Sequence, residues 1–205
     1  MIEARNLVKK YGSFIAVNHL SLSLSTGETV VLLGPNGSGK STLLGMLSLT
    51  SKPDEGEVTV DGLSGKNAKK KIAFAPQEIV LFEELTTMEN LLSWSTLKGK
   101  EAKERAEYLI SELDMDSFKK NRVDRLSGGQ RRRVNLAVAL MGNYDYILMD
   151  EPLAGIDDYG GKCIKNLLET EKEKGRGILF TEHNPTILLP LMDRKLTIDG
   201  GCFVS

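Results

Sequence analysis

Gly34-Pro35-Asn36-Gly37-Ser38-Gly39-Lys40-Ser41-Thr42 decides the fold of this chain. The apolar run Thr29-Val30-Val31-Leu32-Leu33 precedes it, and Leu43, Leu44, Met46 and Leu47 follow at spacings that suit one face of a helix. Strand, Gly-rich loop, Lys-Ser and helix in that order form the context in which the pattern builds a phosphate site rather than a solvated turn. The glycines let the backbone wrap closely around phosphate oxygens with its N–H groups pointing inward. The helix start adds its own N–H groups and the positive end of its dipole. Lys40 is then placed to reach β- and γ-phosphates, and the Ser41 hydroxyl to ligate Mg²⁺. The loop alone does not separate an ATPase from a GTPase or a small-molecule kinase.

Composition bounds the rest. The 205 residues suffice for one sizeable core, and 40% hydrophobic with 27% charged residues is an ordinary globular mixture. A net charge of −1 gives no reason to expect a broad cationic surface for nucleic acid. The apolar runs are far too short to span a bilayer, and Met1 to Asn6 does not read as a signal peptide, so any membrane role would come through a partner. Cys163 and Cys202 are isolated, which points to two thiols in a reducing cytosol rather than a disulfide or a metal-ligand pair. His19 and His183 are the only histidines, so a His-rich metal site is excluded. The basic cluster Lys66 to Lys71 is expected to be a solvated loop.

Four apolar runs each end in chemistry. Thr29–Leu33 leads into the phosphate loop, and Ile72-Ala73-Phe74-Ala75 leads through Pro76 into Gln77. Tyr146-Ile147-Leu148-Met149 leads into Asp150-Glu151, and Gly177-Ile178-Leu179-Phe180-Thr181 into Glu182-His183. Ligands of open α/β sheets sit outside the carboxyl ends of the strands, so four such ends predict one site. Amphipathic helices are expected between them. One carries Ala102, Ala106, Leu109, Ile110 and Leu113; a second carries Val134, Ala137, Val138 and Met141, with Ser127 as N-cap and Gly142-Asn143 as stop; a third carries Ile164, Leu167 and Leu168 and ends near Gly175. Leu20-Ser21-Leu22-Ser23-Leu24 alternates strictly, as a strand buried on one face does.

Asp150 and Glu151 follow an apolar strand and precede Pro152, which argues against a solvated turn. Asp150 is placed to hold Mg²⁺ with Ser41, and Glu151 to orient the attacking water or accept its proton. The neutral amide of Gln77 can accept from a metal-bound water while donating elsewhere, which suits a sensor of the γ-phosphate. His183 gains interest only from its place at a strand end beside the other three.

Leu126-Ser127-Gly128-Gly129-Gln130, followed by Arg131-Arg132-Arg133, resembles the signature of ATP-binding cassette (ABC) ATPases. The motif order, from Tyr11 through the phosphate loop, Gln77, the signature, Asp150-Glu151 and Ala154-Gly155-Ile156-Asp157 to His183, matches that family over essentially the whole chain. The chain is similar to the short bacterial cassettes of drug, bacitracin and haem exporters. The resemblance implies that Tyr11 stacks on adenine, that Gln77 carries the signal to a membrane subunit, and that His183 contacts the γ-phosphate. It also implies that Ser127, Gly128, Gly129 and Gln130 complete the site of a second copy across a head-to-tail dimer, while Asp157 links the two sites. The capped start of a helix with two glycines offers an anion the same N–H groups and dipole as the first loop. Two departures stand out. Ala154-Gly155-Ile156-Asp157 replaces the common Ser-Ala-Leu-Asp, and Thr181-Glu182-His183 replaces the frequent Ser-Thr-His, which puts an acid beside the histidine.

The expected fold is therefore α/β: a single ABC-type P-loop NTPase domain over residues 1–205, with a RecA-like core, an N-terminal antiparallel β lobe and a helical lobe at about 78–143. No room is expected for a regulatory domain after His183. The expected function is ATP binding and hydrolysis that powers a separately encoded membrane permease through ATP-driven dimerisation, on the cytoplasmic face of the membrane. The permease is expected to dock near Ile79–Leu85, an apolar run edged by acids. A soluble ABC ATPase driving assembly or repair is the competing reading. A P-loop kinase or GTPase is excluded by the signature and by the lack of an Asn-Lys-x-Asp motif.

Overall fold

A sheet buried on both of its faces organises the chain. The computed structural model describes residues 1–182 and 186–204. Strands β1 (Ile2–Tyr11), β2 (Phe14–Leu24) and β4 (Glu55–Val60) form an antiparallel sheet in the order β2-β1-β4. Strands β3 (Thr29–Leu33), β5 (Ile72–Ala75), β6 (Tyr146–Asp150), β7 (Gly177–Thr181), β8 (Arg194–Asp199) and β9 (Cys202–Val204) form a second sheet in the order β5-β6-β7-β3-β8-β9. Every pairing in it is parallel except β8 with β9. The four strands expected to end in chemistry are thus four consecutive neighbours.

Their residues divide between two cores by the period of two that a strand imposes. Val31, Ile147, Met149, Ile178 and Phe180 join a core with the helices of the middle and C-terminal segments. Val30, Leu32, Tyr146, Leu148 and Leu179 join a second core with the antiparallel sheet and helix α1 (Lys40–Leu47). Coverage of both faces explains why β6 and β7 are buried at every position, and why they read as unbroken apolar runs rather than alternating ones. Each large apolar side chain so enclosed contributes about 1.5–3 kcal/mol.

Residue 65–69 forms a short helix, α2 (Gly65–Lys69), rather than the solvated loop expected of the basic cluster. Lys71 at its end is tied to Asp61 at 2.7 Å and Asp145 at 2.9 Å. Helices α3 (Thr87–Trp94), α4 (Gly99–Glu112) and α5 (Gly128–Ala139) pack together over β5 and β6, and α6 (Asp158–Glu173) covers the same face beside them. The Thr86–Glu89 pair closes a capping box at the start of α3. Ser127 caps α5 as expected, but α5 ends at Ala139, two residues before the last apolar position assigned to it, and Leu140 takes the capping place. Both cysteines are unbridged.

One buried charge joins α4 to α6. Glu171 is fully buried, and Arg105 of α4 at 3.3 Å, Lys174 at 3.2 Å and Arg176 at 2.6 Å converge on it. Removing the carboxylate leaves two partly buried guanidinium groups without their counter-charge. Glu171→Gln is expected to lower the unfolding free energy by about 3 kcal/mol, the range for breaking a buried ion pair. Urea denaturation checks this; an unchanged midpoint would mean that α4 and α6 are held by apolar packing alone.

Candidate active site

The loop between β3 and α1 is shaped by close backbone approach. Gly34 adopts φ 152°, and a Cβ there would lie 2.1 Å from the carbonyl oxygen of Ile198 in β8. No side chain with a Cβ fits without moving one strand off the other. Helix α1 begins at Gly39 with no side-chain cap, so its first N–H groups are not claimed by a capping residue. Lys40 is buried, and its ammonium donates to the carbonyl oxygens of Gly34 at 2.8 Å and Pro35 at 2.9 Å. The cation is thereby held directly beneath the loop.

A cavity of about 410 Å³ opens above this loop, lined by Tyr11, Phe14, Ala16, Asn36, Gly37, Gly39, Lys40, Ser41, Thr42, Gln77 and Glu151. Tyr11, Gln77, Glu151 and most of the phosphate-loop residues therefore share one cavity, whereas Asp150 is not among its lining residues. Gly34, Pro35 and Ser38 lie behind it as the frame of the loop. Phe14 and Ala16 were not legible as site residues. Phe14 faces Tyr11 across the two-residue turn between β1 and β2, and both rings are exposed at the rim. Tyr11-Gly12-Ser13-Phe14 was the available signal, an aromatic on each side of a hairpin turn.

At the other end of the cavity the strand register places the acids. Asp150 pairs with Thr181 across β6 and β7. The Thr181 hydroxyl donates to Asp150 Oδ1 at 2.6 Å and accepts from the Glu151 backbone N–H at 2.9 Å. Glu151 itself adopts φ 48°, a costly backbone for a residue with a side chain, which the surrounding bonds hold in place. Gln77 Nε2 donates to Glu151 Oε2 at 2.8 Å. Glu182 is buried, and its Oε1 accepts from the Leu153 N–H at 2.8 Å, which fixes the chain just beyond Glu151. Thr181 and Arg132 were missed as site residues. Burial lowers the pKa of the Arg132 guanidinium from its ordinary value, while Glu151, Asp150 and Glu182 oppose that shift. His183 lies outside the described residues.

The signature is elsewhere. Ser127 and Gly128 are exposed at the start of α5, and neither they nor Gly129 and Gln130 line the cavity. The Gln130 side chain is engaged locally: it accepts from the Ser127 N–H at 2.9 Å, and the Ser127 hydroxyl accepts from the Gln130 N–H at 3.3 Å. A Cβ on Gly129 would lie 3.1 Å from the Gly155 carbonyl, so the signature helix abuts the Ala154–Asp157 turn. Asp157 caps α6, accepting from the Gly160 N–H at 2.8 Å.

A fold with one phosphate loop and, apart from it, a capped helix start bearing two glycines is that of a P-loop nucleotide-hydrolysing cassette. The model of the ABC transporter family matches residues 17–154. The chain is 38% identical to the linearmycin resistance ATP-binding protein LnrL of Bacillus subtilis, over all of this chain and 68% of that protein. It is 34% identical to the lipopolysaccharide export system ATP-binding protein LptB of Haemophilus influenzae, over all of this chain and 89% of that protein. Among solved structures, it superposes on the dimeric structure of the bacterial ABC transporter cassette MJ0796 with a TM-score of 0.88 at 31% identity, covering 98% of this chain and 95% of the other. A dimeric post-hydrolysis state of the same cassette, bound to ADP and Pi, matches with a TM-score of 0.87 at 31% identity and the same coverage. The chain belongs to the ABC transporter family, as an ATP-binding and ATP-hydrolysing subunit.

Thr181→Val keeps the shape of the side chain but removes both of its hydrogen bonds. It leaves a buried Asp150 oxygen and the Glu151 N–H short of a partner, at a cost of about 1–3 kcal/mol. The expected outcome is a lower thermal midpoint together with slower ATP turnover. Wild-type values for both would place the support of Asp150 and Glu151 in other contacts.

Proposed function

We propose that Glu151 is the carboxylate that orients the attacking water or accepts its proton, with Lys40 and the loop N–H groups of residues 34–42 cradling the phosphates and Tyr11 stacking on adenine. The observation that carries this reading is the shared cavity, whose lining includes Tyr11 and Phe14, residues of the phosphate loop, and the hydrogen-bonded Gln77–Glu151 pair. His183 is proposed to contact the γ-phosphate. Asp157 is proposed to link the two nucleotide sites of the dimer.

Mg²⁺ fits the donors available. Ser41 and Asp150 offer hard oxygen ligands and Gln77 a carbonyl oxygen, the donor set that this ion prefers to thiolate or imidazole. The single hydroxyl bond from Thr181 occupies Asp150 Oδ1 and turns that carboxylate into a fixed acceptor. When bound, Mg²⁺ neutralises charge that develops on the phosphates.

Ser127 to Gln130 are proposed to face the γ-phosphate of a second copy. The exposure of Ser127 and Gly128 and the distance of the signature along the chain from the phosphate loop support a two-fold arrangement in which each site needs both surfaces. Light scattering of Glu151→Gln with ATP and Mg²⁺ is expected to give a mass near twice that with ADP. Its turnover is expected to fall at least about a hundredfold while ATP affinity holds. Near-normal turnover would remove Glu151 from this role.

The permease is proposed to dock on residues 79–85, at the edge of a helical lobe formed by about residues 78–143 of a single domain, on the cytoplasmic face of the membrane. Among the described residues no helix is long and apolar enough to cross a membrane. Ile79, Val80 and Phe82 are exposed, and Phe82 stacks on the exposed Trp94 with centroids 5.5 Å apart. A contiguous exposed apolar patch of this kind supports a binding role. Leu81 instead packs into the core of the helices, so it belongs to the lobe rather than to the patch. Phe82→Ala is expected to leave the ATPase activity of the isolated chain intact while membrane association and transport fall. Normal transport by this variant would place docking elsewhere.

A further inference from the structure

Arg132 lies in the second turn of α5, beyond the two glycines of the signature, and it is buried. A buried guanidinium requires acceptors. Its Nη1 donates to the carbonyl oxygen of Gln77 at 2.6 Å and reaches that of Pro76 at 3.3 Å. Asn135, one turn further on, holds the same loop. Its Oδ1 accepts from the Val80 N–H at 3.0 Å, and its Nδ2 lies 3.4 Å from the carbonyl oxygens of Pro76 and Glu78. The backbone of residues 76–80 therefore hangs on α5. The Gln77 side chain continues the path by donating to Glu151. Two hydrogen bonds separate the signature helix from the carboxylate at the end of β6.

We propose that Arg132 is a positioning residue for Glu151: by fixing the Gln77 backbone to α5 it sets where the Gln77 amide holds the Glu151 carboxylate, and so ties the signature end of α5 to the chain's own hydrolytic site. The proposal rests on Glu151 as the hydrolytic carboxylate and on the signature as the surface that meets a second copy. A nucleotide of the second copy that engages Ser127 and Gly129 then acts on a helix whose next turn already grips the loop that orients Glu151. Contiguous hydrogen bonds between rigid elements are the kind of network through which sites couple. Arginine suits the position because the two N–H groups of Nη1 can serve two carbonyl oxygens and its charge persists when buried. That charge also acts on Glu182, the acid that stands where the family frequently has threonine.

The test uses the full chain with four variants: Arg132→Gln, Arg132→Lys, Glu151→Gln and the Arg132→Gln/Glu151→Gln double variant. Steady-state kcat and KM for ATP-Mg²⁺, ATP affinity by calorimetry, and thermal midpoints are measured for each. Arg132→Gln is expected to lower kcat about tenfold or more, with KM and ATP affinity within about twofold, because the loss falls on the reacting geometry and not on nucleotide binding. Arg132→Lys keeps the charge but not the planar guanidinium that aims Nη1 at the two carbonyl oxygens, and is expected to lower kcat by a smaller factor at an unchanged thermal midpoint. The double variant is expected to be no slower than Glu151→Gln alone, since both changes act through one carboxylate. Wild-type kcat in both Arg132 variants overturns the proposal, as does a full multiplicative loss in the double variant. If Arg132→Gln does not fold, Arg132→Lys and its combination with Glu151→Gln decide by the same criteria. Near-normal turnover of Glu151→Gln alone overturns the reading of Glu151 and the proposal with it, whereas the other outcomes bear on Arg132 only.

Discussion

Burial of the parallel sheet on both faces governs everything built at its edge. Strands β5, β6, β7 and β3 are clamped between the antiparallel sheet with α1 on one side and the helices on the other. A strand buried this way cannot slip by one residue, because a slip would exchange its two faces and misplace every apolar side chain. Register is thereby fixed, and with it the height at which each strand releases its polar end. Asp150 opposite Thr181 is a direct product of that constraint. Their hydroxyl–carboxylate bond, and the strained backbone of Glu151 just beyond, depend on a scaffold that does not yield.

The phosphate loop uses the same rigidity differently. Gly34 lets the loop pass against the backbone of β8 closer than any side chain would permit. The loop is thus pressed onto the sheet, with Lys40 tied to the carbonyl oxygens of Gly34 and Pro35. Preorganisation of this kind is where electrostatic sites gain most, since no reorganisation remains to be made when charge appears.

Helix α5 joins the two kinds of surface. Its start presents Ser127 and Gly128 outward, and the local capping box takes up the Gln130 side chain without covering that face. Its second turn faces inward and holds residues 76–80. The same loop bears the exposed apolar residues Ile79, Val80 and Phe82 on its other side. A single segment therefore lies between the signature helix, Glu151 and the apolar patch. The three surfaces meet in one loop only because α5 and β5 lie against each other.

The nucleotide loop, the four chemically terminated strands and the three amphipathic helices were determined by the sequence alone, since each is encoded in neighbouring residues. Periodicity marked buried faces, and glycine with Lys-Ser marked the anion site, because backbone geometry and short-range chemistry depend on local composition. Tertiary structure decided what required distant segments to meet. Thr181 reads as the last residue of an apolar strand until β6 and β7 pair, and Phe14 as a hairpin residue until the turn folds over the phosphate loop. Arg132 looks like one of three surface arginines, yet the packing of α5 on the loop after β5 buries it while its neighbours remain partly exposed. Lys71 looks like the end of a solvated basic run, yet Asp61 and Asp145 come to it from ten and seventy-four residues away, while Lys66, Lys69 and Lys70 stay exposed. The sequence carries which groups are available; only the closed fold sets which acceptor each buried donor finds, because that choice is made by distance across the core and not along the chain.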